Sequence, residues 1–179
     1  MKRGVLVATY DLNWPAIFEA ARAEIKAAIG EAILRIEPIG STSVPKLTAK
    51  PTIDILVGVR DWDEAKSTIA PLTEIGWEYA GEYGIPCRHY FRCRDERGSA
   101  THHPHMLEVG SLRFDEHLLF RDHLRRAHAE VAAACERLKR DLAHRFLDSG
   151  REYQEGKRSF IEGVLERARR QRADSTMRD

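Results

Sequence analysis

The sequence predicts an α+β chain folded as one domain. Strands and helices intermingle over its first two-thirds, and helix alone fills the last third, packed on the sheet. Three observations predict it. Residues 53–59, Ile-Asp-Ile-Leu-Val-Gly-Val, are a β-branched apolar run suited to a strand buried on both faces. Trp14, Ile17, Phe18, Ala21, Ile25 and Ala28 recur at helical spacing. From Arg113 onward apolar residues recur at steps of three and four, with no linker-like composition before them.

Residues 5–10 suit a short strand or an arm. Asn13 is placed to cap the first helix, Pro15 is tolerated in its first turn, and Gly30 marks its end after Ile29. Arg35 to Ile39 reads as a short strand feeding the Gly40-Ser41 turn. Pro51 precedes the strand 53–59, where proline is tolerated. Asp61 to Glu64 opens a second helix with acids at the positive end of its dipole. Its apolar face is Trp62, Ala65, Ile69, Leu72 and Ile75, and Gly76 stops it. Strands follow at Trp77–Tyr79, His89–Arg94 and about Thr101–Val109, the last two forming a hairpin around residues 95–99. Leu118 and Leu124 anchor the next helix. Val131, Cys135, Leu138, Leu142 and Phe146 anchor another, which Gly150 breaks. A last helix spans about Arg151–Arg170 with Phe160, Val164, Leu165 and Ala168 inward, and the polar residues behind it are expected to fray. The domain is expected over 1–172, with 173–179 as tail.

Bulk properties exclude several functions. The chain has 179 residues, enough to bury roughly 68–70% of its unfolded surface without disulfides or structural metal. Lys plus Arg is 29 and Asp plus Glu is 28, for a net charge of +1, so there is no bulk attraction to nucleic acid or an acidic membrane. The Arg167–Arg172 run reads as a solvated helix end. No apolar stretch approaches the ~20 residues of a membrane span. Three cysteines, an odd number without metal-type spacing or a secretory signature, point to a reduced cytoplasm.

The candidate chemistry gathers around residues 40–59. A small, hydroxylated loop, Gly40-Ser41-Thr42-Ser43, could offer backbone N–H groups and hydroxyls to a phosphate. Asp54 is a lone carboxylate inside an apolar strand. It needs a bound metal, a role as general base, or an ion pair with Lys50 or Arg88. Lys50, Arg88 and Lys157 are candidate phosphate or carboxylate contacts. His103 and His105 stand at i and i+2 of a strand and face one side, close enough to reach one ion. Asp122 and Arg125 stand at i,i+3 and suit a local pair.

Larger blocks carry a resemblance. These are Tyr10-Asp11 with Trp14-Pro15, Glu37 with Gly40-Ser41-Thr42-Ser43-Val44-Pro45, and Ala49-Lys50-Pro51 with Ile53-Asp54-Ile55. Later come His103-Pro104-His105, residues 120–125 (Phe-Arg-Asp-His-Leu-Arg), and Tyr153 with Lys157 and Phe160-Ile161. Together they resemble the GrpB family, whose members have a nucleotidyltransferase-like fold: a mixed β-sheet flanked by helices. In that superfamily a Gly-Ser turn starts a helix and holds a triphosphate, and the next strand presents two carboxylates at i and i+2 to divalent metal. Three positions depart from the pattern. Pro38 and Lys46 stand where the family tends to have His and Gly, and Leu56 stands where the second carboxylate belongs.

The resemblance implies a nucleotide or phosphorylated small molecule as partner and divalent metal (Mg, Mn or Zn) as cofactor. In a nucleotidyl transfer, Asp54 would hold the metal, Gly40 to Ser43 the phosphates, and Lys50 or Arg88 would offset developing charge. If the His103 strand supplies the superfamily's third ligand, Asp54, His103 and His105 form a 2-His-1-carboxylate set, and the chain would instead be a metal-dependent hydrolase or other metalloenzyme on the same fold. Glu37 could replace the missing acid if it faces the Asp54 side. The remaining reading is a non-catalytic domain that binds a nucleotide or phosphate ligand. Family members fused to dephospho-coenzyme A kinase suit such an accessory role.

Overall fold

The computed structural model describes residues 7–126 and 155–176, and between them 134, 135, 137, 138, 141, 142, 145 and 152. The expectations for residues 1–6, Val131, Phe146, Gly150 and Tyr153 lie outside the described residues.

Helix α1 spans Trp14–Ile29 and buries Trp14, Phe18, Ala21, Ile25 and Ile29. Its start is held differently from the expected cap. Asn13 makes no side-chain bond; Asp11 Oδ1 instead accepts from the Asn13 N–H at 2.8 Å. Nor is Gly30 a left-handed stop: it is right-handed helical and leads into a 3-10 turn over Gly30–Ala32. Five strands follow, β1 (Arg35–Ile39), β2 (Ile53–Val59), β3 (Glu78–Tyr79), β4 (His89–Arg94) and β5 (Ala100–Glu108). They form one mixed sheet in the order β1-β2-β5-β4-β3. β2 and β5 pair in parallel at its centre, and the other neighbours are antiparallel. Pro38 is tolerated because β1 is an edge strand.

Alternation along β2 explains the layering. Ile53, Ile55, Val57 and Val59 join the cluster under α1. Leu56 faces the other way and packs with Ile39, Leu107 and Phe114. Phe114 belongs to α3 (Leu112–Arg126), which covers this second face. Gly58 permits that approach, since a Cβ there would lie 2.8 Å from the Phe114 ring.

The second helix is shorter than its apolar pattern suggested. A 3-10 segment, Glu64–Thr68, leads into α2 (Ile69–Glu74), and Ile75 is exposed. Its entrance is an Asx turn, with Asp61 Oδ1 accepting from the Asp63 and Glu64 N–H groups. Helix α4 spans Arg158–Thr176, running beyond both the expected end and the expected tail boundary; it packs on α3 and buries Val164, Leu165 and Ala168. Cys135 is buried with Val44, Leu47 and Leu124.

Among the described residues, no helix is long and apolar enough to cross a membrane.

Candidate functional site

The sheet register assembles the site. Asp54 pairs with Ile39 and His103, and Leu56 with Glu37 and His105. Equal parity puts Glu37, Asp54, His103 and His105 on the α3 face of the sheet. The Asp54 Oδ1 atom lies 3.4 Å from His103 Nδ1 and 3.7 Å from His105 Nε2. Burial alone would raise the Asp54 carboxyl pKa. Hydrogen bonding to the imidazoles of His103 and His105 outweighs it and holds the group well below the usual carboxylate range.

The other Asp54 oxygen faces the Gly40 loop. Gly40 has φ +68 and ψ −170, a conformation that is essentially glycine's alone. A Cβ there would sit 2.3 Å from Asp54 Oδ2. Gly40 therefore serves the site twice, by turning the chain and by leaving room for the carboxylate. The helix expected after it is a three-residue 3-10 turn, Ser41–Ser43. The hydroxyl of Ser43 donates to Gly40 O at 2.7 Å, and Thr42 Oγ1 to Thr52 O at 3.3 Å, so both hydroxyls brace the loop. Thr42, Ser43, Asp54, Pro38, Tyr10 and Arg125 line a cavity of ≈ 150 Å³ beside it. Lys50 is exposed in the turn before β2 and, among the described residues, makes no ion pair with Asp54.

Two expected contacts are already engaged. Arg88 is buried rather than free for a phosphate. Its Nε donates to Glu82 O at 3.2 Å, its Nη2 to Glu82 O at 3.1 Å and Tyr83 O at 3.0 Å, and its Nη1 to His105 Nδ1 at 3.0 Å. Glu37 does face the Asp54 side, but both its oxygens are taken. Oε1 accepts from Arg35 at 2.9 Å and Oε2 from Arg121 at 2.8 Å. Burial would raise the Glu37 pKa; Arg121 and then Arg35 bring it below the ordinary value. Arg121 also binds Asp122 at 2.7 Å, so the local pair forms there rather than between Asp122 and Arg125. Arg125 instead donates to Ser43 O at 3.0 Å.

These bonds decide how the residues suit a metal. The 2-His-1-carboxylate set converges in space, yet among the described residues no three His, Cys, Asp or Glu side chains are arranged to hold an ion. Arginine only donates, so His105 Nδ1 must accept, and the proton of the neutral ring sits on Nε2. A nitrogen that carries its proton cannot coordinate. Metal-bound histidine normally donates its second N–H to an acceptor, the reverse of this polarity. Glu37 is closed by two arginines, and Leu56 is fully buried. The residues present do not fit the metal centre that the superfamily pattern implies.

A comparison of the whole chain decides its family. The family described as "GrpB protein" matches residues 4–167. The chain belongs to the GrpB family. It is 32% identical over 167 residues to the glutamate-rich protein GrpB of Alkalihalophilus pseudofirmus, covering 92% of this chain and 95% of that one. It is 37% identical over 169 residues to protein YqkA of Bacillus subtilis, covering 94% of this chain but 48% of YqkA. This chain thus spans about half the length of that relative. The crystal structure of the conserved protein GrpB from Enterococcus faecalis superposes with a TM-score of 0.83 at 35% identity, over 91% of this chain and 96% of that chain. The Cid1 poly(U) polymerase bound to Mg and 3′-dATP superposes with a TM-score of 0.53 at 14% identity, over 78% of this chain and 44% of that chain. That likeness shows a shared nucleotidyltransferase-like fold.

The structure adds residues that the sequence reading left out. Tyr90 on β4 pairs with His105, and its ring lies against both histidines, 5.2 Å from His105 and 5.5 Å from His103 between centroids. His117 of α3 reaches within 5.3 Å of the His105 ring. Burial, with His105 beside it, pushes the His117 pKa down to about 3, so its imidazole is neutral. A signal for His117 existed: Phe114, His117, Arg121 and Leu124 follow one another at steps of three, four and three, the spacing of a buried stripe.

Proposed function

We propose that this GrpB-family chain binds a nucleotide or another phosphorylated small molecule beside Gly40–Ser43, as a ligand-binding domain without two-metal nucleotidyl transfer. One observation carries the reading. Leu56, in place of the second carboxylate, is fully buried among Ile39, Leu107 and Phe114. In-line displacement by two ions needs acids to hold both, and Asp54 stands alone on β2. The nearest replacement, Glu37, is held by Arg35 and Arg121.

The fold shared with nucleotide-bound polymerase structures supports a phosphorylated ligand, as does the cation at the rim of the cavity. Arg125 of α3 lines that cavity with Asp54, and Lys46 and Lys50 are exposed between the Ser41–Ser43 turn and β2. An ionised Asp54 repels phosphate and accepts hydrogen bonds. The ligand is therefore expected to turn a hydroxyl or amino group to Asp54 and its phosphate to the rim. At ≈ 150 Å³ the cavity is smaller than the roughly 300–1,000 Å³ of whole-ligand pockets, so only part of the ligand enters it.

Isothermal titration with ATP, GTP, CTP and UTP, each with and without MgCl₂, tests the reading beside an assay of pyrophosphate release. Binding indifferent to Mg, weakened about tenfold or more by Arg125→Ala, and without pyrophosphate release is the expected result. Pyrophosphate release that needs Mg and vanishes in Asp54→Asn would overturn it, and failure of every nucleotide to bind would overturn its nucleotide form.

A further inference from the structure

We infer that Arg88 is a positioning residue that fixes His105 as an Nε2–H donor aimed at Asp54, closing this site to divalent metal and making it a hydrogen-bonding pocket built around a cation of the protein itself. The inference uses the site proposed above but not nucleotide binding.

Four hydrogen bonds hold the Arg88 guanidinium, three to the carbonyls of Glu82 and Tyr83 and one to His105 Nδ1. The loop around it is bent to make them. Tyr83 has φ 46 and Cys87 φ 58, left-handed conformations that are uncommon outside glycine and persist only where the surroundings impose them. Glu82 Oε1 closes the loop by accepting from the Cys87 N–H at 2.7 Å. The ring of Tyr90 covers the cation, 4.6 Å from the guanidinium carbon to its centroid. Arg88 is thus an anchored charge, not a side chain waiting for a ligand.

The chemistry follows from what arginine cannot do. It has no acceptor and does not lose its proton in proteins. Its Nη1–H can meet His105 Nδ1 only if that nitrogen carries a lone pair. This excludes both the imidazolium and the Nδ1–H tautomer and leaves the proton on Nε2, facing Asp54 Oδ1. Coordination through Nε2 would require a ring with no proton at all, next to a fixed positive charge that also repels the incoming ion. Guanidinium, imidazole and carboxylate therefore form a line, Arg88–His105–Asp54, with the cation at one end and the anion at the other.

Two measurements test this on protein prepared without a polyhistidine tag. Long-range ¹H–¹⁵N correlation spectra, with His105 assigned by its loss in His105→Gln, report the tautomer directly. The Nε2–H form is expected in the wild type, and a mixture in Arg88→Met, a change that a purely structural role for Arg88 would not make. Titration with ZnCl₂ and with MnCl₂ is expected to show no site involving His105 in the wild type. In Arg88→Met, Zn affinity is expected to rise about tenfold or more and to fall again in Arg88→Met/His105→Gln. An imidazolium or Nδ1–H form of His105 in the wild type at pH 7 would overturn the inference, and so would stoichiometric Zn or Mn lost in His105→Gln. The wild-type spectrum and titration decide the matter even if Arg88→Met fails to fold.

Discussion

Replacing Gly40 by alanine probes the joint between loop and carboxylate. Two costs add. At φ +68 and ψ −170 the backbone lies in a region essentially reserved for glycine, which costs about 1–3 kcal/mol for any other residue. The new Cβ would also meet Asp54 Oδ2 at 2.3 Å and Asp54 Cγ at 3.0 Å, an overpacking of about 1–3 kcal/mol unless the carboxylate rotates away from the histidines. Gly40→Ala is thus expected to destabilise by about 2–6 kcal/mol. Urea unfolding of a double-mutant cycle separates the parts. Asp54→Ala removes the carboxylate that makes the 2.3 Å contact and leaves only the Asp54 Cβ position at 3.0 Å, so Gly40→Ala should cost about 1–3 kcal/mol less in that background, while its backbone cost remains. Gly81→Ala is a control for alanine at positive φ without a clash, because Gly81 has φ +66 and no atom within 4 Å of an added Cβ. An equal cost for Gly40→Ala with and without the Asp54 carboxylate would refute the contact.

Two further outcomes follow from other positions. Lys46 sits at φ 66 in a turn that the Leu47 N–H closes onto Val44 O at 3.2 Å, with Pro45 at its second position, the arrangement of a type II turn that favours glycine at its third. Lys46→Gly is expected to stabilise by about 0.5–1 kcal/mol after the extra unfolded-chain entropy of glycine is subtracted, and thermal unfolding with no gain or a loss would contradict it. For His117, the folded pKa of about 3 lies below the ordinary 6.5, so between these values the unfolded chain binds more protons than the folded one. Its contribution is complete well above pH 6.5 and declines as pH falls, having lost about 2 kcal/mol by pH 5. Urea unfolding of His117→Gln is expected to show a shallower pH slope than the wild type, and identical slopes would show that His117 titrates normally.

Local pattern located most of the fold. The ends of α1, β1, β2 and β4 match the sequence reading, because each is set by nearby residues: an alternation, a helical stripe, a proline or glycine at the boundary. The errors are local competitions that the pattern does not settle. Asp11 took the N–H expected to be served by Asn13, and a 3-10 segment replaced the first turns expected of α2. Lys46, a departure from the family pattern in the sequence, is left-handed because the Val44–Leu47 turn imposes it, which residue type alone does not give.

From the chain alone came the strand with a single acid, the glycine before it, the paired histidines and the leucine in place of a second carboxylate. Those are matters of residue type and spacing. Tertiary structure decided which groups these residues meet, because ligation and hydrogen bonding depend on partners far along the chain. Parallel pairing of β2 with β5 set Asp54 beside His103. Glu37 faces the right side, but Arg121, 84 residues away, holds its carboxylate. Arg88, 17 residues before His105, fixes the nitrogen that carries the proton. A carboxylate and two histidines on one face of a sheet have the composition of a metal site. The direction of the Arg88 hydrogen bond makes them a proton-donor and acceptor array instead.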